Sequence, residues 1–241
     1  MTRRRYILRI MRTGYGHDVF SAALDPVEAR GRFIARTYNH LFGAIVAFAG
    51  IEFALFKTGL ALGIAQAMLG AGWLLVLGGF MLTGWLASRV ALTARSLPAQ
   101  YAALAGYVVV EALIFVPLLV YANAVAPGAI SSAGLVTILG FAGLTSIALF
   151  TRKDFSFLRS VLMWGGVGAM LLIVGGVIFG FQLGLFFSVA MVVFAGAAIL
   201  YDTSNVVHHF PEDRYVGASL QLFSSVTLLF WYVLRIMSSR R

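Results

Sequence analysis

The sequence contains no cysteine, which excludes disulfides, thiolate nucleophiles and thiolate metal sites together and leaves the redox compartment open. Charge is scarce: 11% of the 241 residues are Asp, Glu, Lys or Arg, and nine of these are acidic. A water-soluble domain carries about 25% charged residues, so this chain cannot cover a globular exterior. No P-loop, HExxH motif or nucleophile–base constellation occurs, and an enzyme is not expected. No small-residue cleavage site closes the first apolar run, so a removed signal peptide is not expected. The absence of a sustained internal repeat gives no support to an inverted-repeat transporter.

What the chain has in quantity is apolar residues, 61% of the total, with a mean hydropathy of +0.92. Its natural partner is the lipid bilayer. A helix needs about 20 residues to cross a ~30 Å hydrocarbon core, and seven runs of that order are expected, at 40–57, 66–89, 99–122, 131–150, 158–180, 183–203 and 215–236. The fold class is therefore all-α: a polytopic membrane protein with seven transmembrane helices. Three regions follow: a basic tail (1–37), the transmembrane domain (38–237) and a short basic C-terminal tail (238–241). The first dozen residues read either as a basic helix on anionic headgroups or as a disordered tail that fixes orientation.

The net charge of +9 is not a nucleic-acid signature, because the basic residues stand at the ends of apolar runs rather than among aromatics on a soluble face. With the amino terminus inside, fourteen Lys and Arg residues fall on the inner side. Four fall outside: Lys57, Arg235, Arg240 and Arg241. That asymmetry predicts a cytoplasmic N-terminus. The three basic residues at the carboxyl end are out of place, and leave open whether the seventh segment crosses or re-enters; its length favours crossing. Gly176, Gly180 and Gly184 form two successive GxxxG spacings, expected to bring helices close. Gly165, Gly166 and Gly168 thin the same segment near its start.

Few ionisable groups lie within the apolar runs: Glu52, Glu111 and Asp202, with His40 and Arg89 near the edges. Each costs roughly 2.5–3.5 kcal/mol at mid-membrane and should face the bundle interior. The last hairpin places residues equidistant from its charged turn (Pro211, Glu212, Asp213, Arg214) at similar depth, and that register sets Asp202 opposite Ser225. The first half of the final segment adds Ser219, Gln221, Ser224 and Thr227. Asp202 facing hydroxyls and an amide reads either as a cation site with Tyr201, Gln221, Ser224 and Ser225 lining it, since hard cations such as calcium take oxygen ligands, or as a polar tie between two helices. Glu111 has Tyr107, Ile114, Leu118 and Tyr121 on its face, and Pro117 should kink the helix beside it by freeing the Leu113 carbonyl. It reads as a protonatable gate or as a hydrogen-bonded packing residue. Glu52 is a further lining candidate. His208, His209, Glu212 and Asp213 form a weak candidate metal cluster.

Three stretches together resemble the Bax inhibitor-1 family, and within it the bacterial YccA-like branch: Thr151 to Leu158 (TRKDFSFL), Ile199 to Thr203 (ILYDT), and Leu228 to Arg235 (LLFWYVLR). The resemblance covers approximately residues 38–237. It implies a seven-helix bundle with the last helix surrounded by the other six, in a cell inner membrane. It also implies a pH-sensitive calcium leak, or, for bacterial relatives, modulation of a membrane-bound AAA protease. In the calcium-leak members an aspartate ending the sixth helix shares a proton with one in the seventh. Asp202 matches the first and Ser225 stands at the second. Two close carboxylates make a pH sensor by sharing a proton; a serine offers a donor instead, so gating is expected to differ here. The family's other intramembrane acid, in its second helix, has no counterpart in 66–89, and Glu111 is expected to take up that role. Arg89 falls near an arginine that neighbours that acid. The leading expectation is a calcium leak that uses Asp202, Ser225 and Glu111. The alternative is a non-conducting regulator acting through residues 1–37 and the inner loops.

Overall fold

The computed structural model describes the backbone of residues 15–94 and 96–239, with side chains from residue 28 onward. The readings of the basic residues before residue 15, of Arg95 and of Arg240 and Arg241 lie outside these residues. Eight α-helices follow one another among the described residues: α1 (Tyr15–Lys57), α2 (Leu60–Ala71), α3 (Trp73–Thr93), α4 (Leu97–Val125), α5 (Ala129–Thr151), α6 (Leu158–Phe179), α7 (Leu185–His208) and α8 (Tyr215–Ser238). Seven helical segments are long and apolar enough to cross a bilayer, the exception being α2. The protein is an all-α, multi-pass membrane protein.

Two expected boundaries move. α1 is already helical at Tyr15 and its apolar crossing lies within Glu28–Lys57, so the division placed at residue 38 falls inside the helix. There Phe33, Thr37, Leu41, Ala44, Phe48 and Glu52 are buried at spacings of three and four, which aligns them on one helix face. The second segment begins at Trp73 rather than near residue 66. Gly72 takes φ +91°, a conformation open to glycine at little cost, and it ends α2 before α3 starts. α4 continues through Pro117.

α8 is the core of the bundle. Fifteen of its 24 residues are buried, and it packs against α1, α3, α4, α5 and α7. The sixth neighbour does not close the ring: α6 has no buried residue and packs on α7, with a lighter contact on α3. Close approach of α8 to the end of α3 requires Gly217, where an added Cβ would lie 2.9 Å from the Ala91 carbonyl oxygen.

The GxxxG spacings are not a helix seam. Gly180 ends α6 with φ +74°, and a Cβ on Gly176 would meet the Phe181 carbonyl oxygen at 3.1 Å, so the pattern makes room for the chain turning back. Earlier in α6 the smallness does serve a helix contact, because Gly165 lies against the Phe194 ring of α7.

The ends of the bundle are pinned by polar contacts to backbone carbonyls. At one end Arg30 donates to the oxygens of Val206, Val207 and Phe210 at 2.7, 2.9 and 2.5 Å, satisfying carbonyls that α7 leaves open at its terminus. Arg214 donates to Ala94 at the same end. At the other end Arg235 donates to the Leu183 oxygen in the α6–α7 connection at 2.8 Å. The two ends of α8 therefore contact opposite ends of the bundle. Its 24 residues span about 36 Å, so the seventh segment crosses.

Candidate functional site

Consecutive residues on a helix point about 100° apart, and α8 uses this at Ser224 and Ser225 to serve two different acids. Ser225 Oγ donates to Asp202 Oδ2 at 2.5 Å, joining α8 to α7. One residue earlier, Ser224 Oγ accepts from the Tyr107 hydroxyl at 3.0 Å. Tyr107 Oη also lies 2.7 Å from Glu111 Oε1, and Thr227 donates to that oxygen at 3.2 Å. Asp202 and Glu111 are 5% and 4% exposed, so each is removed from solvent and held by hydroxyl donors, which is what lets an acid persist within a span. Among the described residues neither acid has a basic partner within salt-bridge distance.

The single hydroxyl-lined vestibule expected at the start of α8 is instead divided over three faces. Ser219 turns to α1, donating to the Thr37 carbonyl oxygen at 2.8 Å. Ser224 and Thr227 turn to α4, and Ser225 turns to α7. Gln221 and Tyr201 are half-buried and, among the described residues, hydrogen-bond to neither acid. Arg89 is exposed, with its guanidinium 5.2 Å from the Trp85 ring, and does not approach Asp202.

Around Asp202 the structure gathers groups that inspection of the sequence did not single out. The Tyr38 hydroxyl of α1 faces the hydroxyls of Thr145 in α5 and Thr203 in α7, within electrostatic reach of Asp202. All three hydroxyl oxygens are buried and, among the described residues, have no hydrogen-bond partner outside this trio. Nothing in the apolar periodicity marks Tyr38 or Thr145, because their convergence depends on how four helices pack.

Glu111 borders a cavity of about 580 Å³ between α3, α4, α6 and α8 that reaches to Gln182 and Arg235 at one end of the bundle. The cavity exists because α6 stands off from α8. Glu52 lies elsewhere: it is 7% exposed and both carboxyl oxygens are buried without partners among the described residues, outside the cavity lining.

The histidine pair does not assemble with the acids of the turn. His209 Nε2 lies 3.6 Å from Asp154 Oδ2 in the α5–α6 connection, while Asp213 pairs with Arg214 at 3.3 Å. The Ser156 N–H, 2.8 Å from Asp154 Oδ1, holds the Asp154 carboxyl below the usual carboxylate range, with His209 and His208 adding to the effect. Among the described residues no three His, Cys, Asp or Glu side chains gather as a metal cluster.

Comparison with known proteins matches residues 30–241 to the family described as inhibitor of apoptosis-promoting Bax1, extending the resemblance into the residues first assigned to the tail. An uncharacterised Pseudomonas aeruginosa protein is 39% identical over 110 residues, 44% of this chain and 48% of that protein. The Escherichia coli K12 protein named modulator of FtsH protease YccA is 33% identical over 102 residues, 42% of this chain and 46% of its own length. The same identity and coverage hold for a protein of another E. coli strain named inner membrane protein YccA. The chain spans about half the length of the curated relatives it matches.

Proposed function

The chain belongs to the Bax inhibitor-1 family, and from that premise we propose that it leaks a cation, calcium first, through the bundle around α8. The N-terminus and the Arg30 end then face the cytoplasm, as the distribution of Lys and Arg favours, and the membrane is the inner membrane, as the name of one relative states. Asp202 is the cation ligand or latch at the cytoplasmic end, and Glu111 is the protonatable group reached from the other end through the 580 Å³ cavity.

The observation that carries this reading is the cluster of buried hydroxyls near Asp202. A hard cation replaces its hydration shell with six to eight oxygens. Asp202 supplies a carboxylate already held by Ser225, and the buried hydroxyls of Tyr38, Thr145 and Thr203 have no partner beyond one another. By the family resemblance Ser225 stands where a second aspartate is expected, so no second carboxyl titrates with Asp202 and the pH response rests on Asp202 and Glu111 separately. Calcium flux into proteoliposomes, read with an entrapped dye, tests the reading. Flux should fall at least tenfold in Asp202→Asn and in Glu111→Gln, and Ser225→Asp should add a pH-dependent step by recreating a carboxyl pair. Equal flux in all of these would remove the three residues from any conduction path.

A second reading, modulation of a membrane-bound AAA protease, is favoured by the printed name of the E. coli relative. It predicts that degradation of a membrane substrate by FtsH changes when this chain is co-reconstituted. That effect should survive Asp202→Asn and be lost on removal of residues 1–27.

A further inference from the structure

The cavity beside Glu111 has the make-up of a ligand site rather than of a simple packing defect. Its volume, about 580 Å³, lies within the range of small-molecule pockets, which are mostly apolar with a few convergent polar groups. Its walls are aromatic: Trp73 and Phe80 from α3, Phe115 from α4 and Trp231 from α8. Trp73 and Trp231 stack at 6.3 Å between centroids, and Phe115 meets Trp231 edge-on at 5.0 Å, so the walls are preorganised.

The polar groups are unevenly placed. Tyr107, Glu111, Ser224 and Thr227 sit at the depth of mid-α8, and Gln182 and Arg235 sit at the end of the bundle. Both hydrogen bonds to the Glu111 carboxyl fall on Oε1. Among the described residues Oε2 accepts none, and it is not among the atoms sealed from contact, so a 4% exposed side chain keeps one oxygen open to the cavity.

From this arrangement we infer that the cavity binds a hydrophobic organic monocation, of the quaternary ammonium or aryl phosphonium kind, with its charge against Glu111 Oε2 and its apolar groups against Trp73, Phe80, Phe115 and Trp231. The chemistry is complementary at each point. A cation held by aromatic faces gains from the ring quadrupoles, most of all where water is excluded, and the carboxylate supplies the counter-charge that a buried cation requires. An anionic amphiphile of equal size would have to set its head at Arg235 and drive its apolar end against Glu111 Oε2, leaving that oxygen unpaired. Entry is lateral, between α3 and α6, where the two helices make only slight contact. The inference does not depend on conduction.

Two ions of nearly identical shape and opposite charge decide it: tetraphenylphosphonium and tetraphenylborate, titrated into the purified full-length chain in detergent and followed by tryptophan fluorescence and by calorimetry. Tetraphenylphosphonium should bind saturably at one site per chain and tetraphenylborate at least tenfold more weakly. Glu111→Gln keeps an acceptor for Tyr107 and Thr227, so it should fold while losing at least tenfold in phosphonium affinity. Ala169→Phe, which fills the cavity from α6 and leaves Glu111 in place, should abolish binding. Asp202→Asn should bind as the parent does, which separates this site from the cation ligand proposed at Asp202. Equal binding of the two ions, preference for the borate, or unchanged phosphonium affinity in Glu111→Gln or Ala169→Phe would each overturn the assignment.

Discussion

α6 and α8 have nearly the same length and opposite fates. α6 has 22 residues and none is buried; α8 has 24, fifteen of them buried, although its crossing is the less apolar of the two. In water the greasier helix would take the core. In lipid it does not, because acyl chains are as apolar as leucine and leave little hydrophobic drive for helix association. What recruits α8 to the centre is what lipid cannot satisfy: Ser219, Ser224, Ser225 and Thr227, each needing partners, and Gly217, which permits backbone approach. α6 offers its neighbours smallness near Gly165 and otherwise meets acyl chains, and the space it leaves against α8 becomes the cavity at Glu111.

The comparison breaks most readily at its glycines. Gly217→Val would force a side chain into the Ala91 carbonyl, and overpacking of this kind costs about 3 kcal/mol. That corresponds to a fall of about 6–12 °C in the melting temperature of the detergent-solubilised chain. A Cβ on Gly168 of α6 would meet no atom within 4 Å, so Gly168→Val should stay within about 0.5 kcal/mol of the parent. Equal losses at the two positions would refute the contrast. A middle-sized effect is expected where α8 receives Glu111. Tyr107→Phe removes the 2.7 Å contact to the carboxyl and should cost about 2 kcal/mol, the scale for a hydrogen bond to a charged or buried group. An unchanged melting temperature in this variant would mean that the carboxyl finds another donor.

The smallest effect lies outside the membrane. Asp154, its carboxyl lowered by the Ser156 N–H, contributes to loop order above its unfolded value, and that contribution is lost as pH falls through the lower folded value. The connection over residues 152–157 should therefore become more susceptible to proteolysis below about pH 4, and Asp154→Asn should be equally susceptible at all pH. A parent whose cleavage rate is flat from pH 7 to pH 3 would show that this loop is held by other means.

How much could be read from the residues varies along the chain. The pairing of Asp202 with Ser225 follows from counting outward from the turn, since antiparallel neighbours joined by a short connection have one register. The division of the α8 hydroxyls among three faces also follows from helix geometry, although the polar cluster invites reading them as one lining. Two features were not legible. Gly72 lies inside an apolar run with nothing in composition to say that the helix stops there. Arg30 stands among the basic residues near the amino end with nothing to set it apart from them, yet it closes the α7 terminus through carbonyls 176 to 180 residues away.

The sequence by itself determined that this chain lives in a bilayer, that it carries seven runs of membrane length and which acids have to be sheltered, because each depends on run length and on the cost of burying charge. Only the tertiary structure decided which helix is sheltered by the others. It also decided that Asp202 and Glu111 lie against separate faces of that helix, and that Tyr38, Thr145 and Thr203 gather near one of them. Hydrophobicity cannot distinguish a protein interior from lipid; that choice is made by long-range fit between small and polar faces, which exist as faces only once the helices have packed.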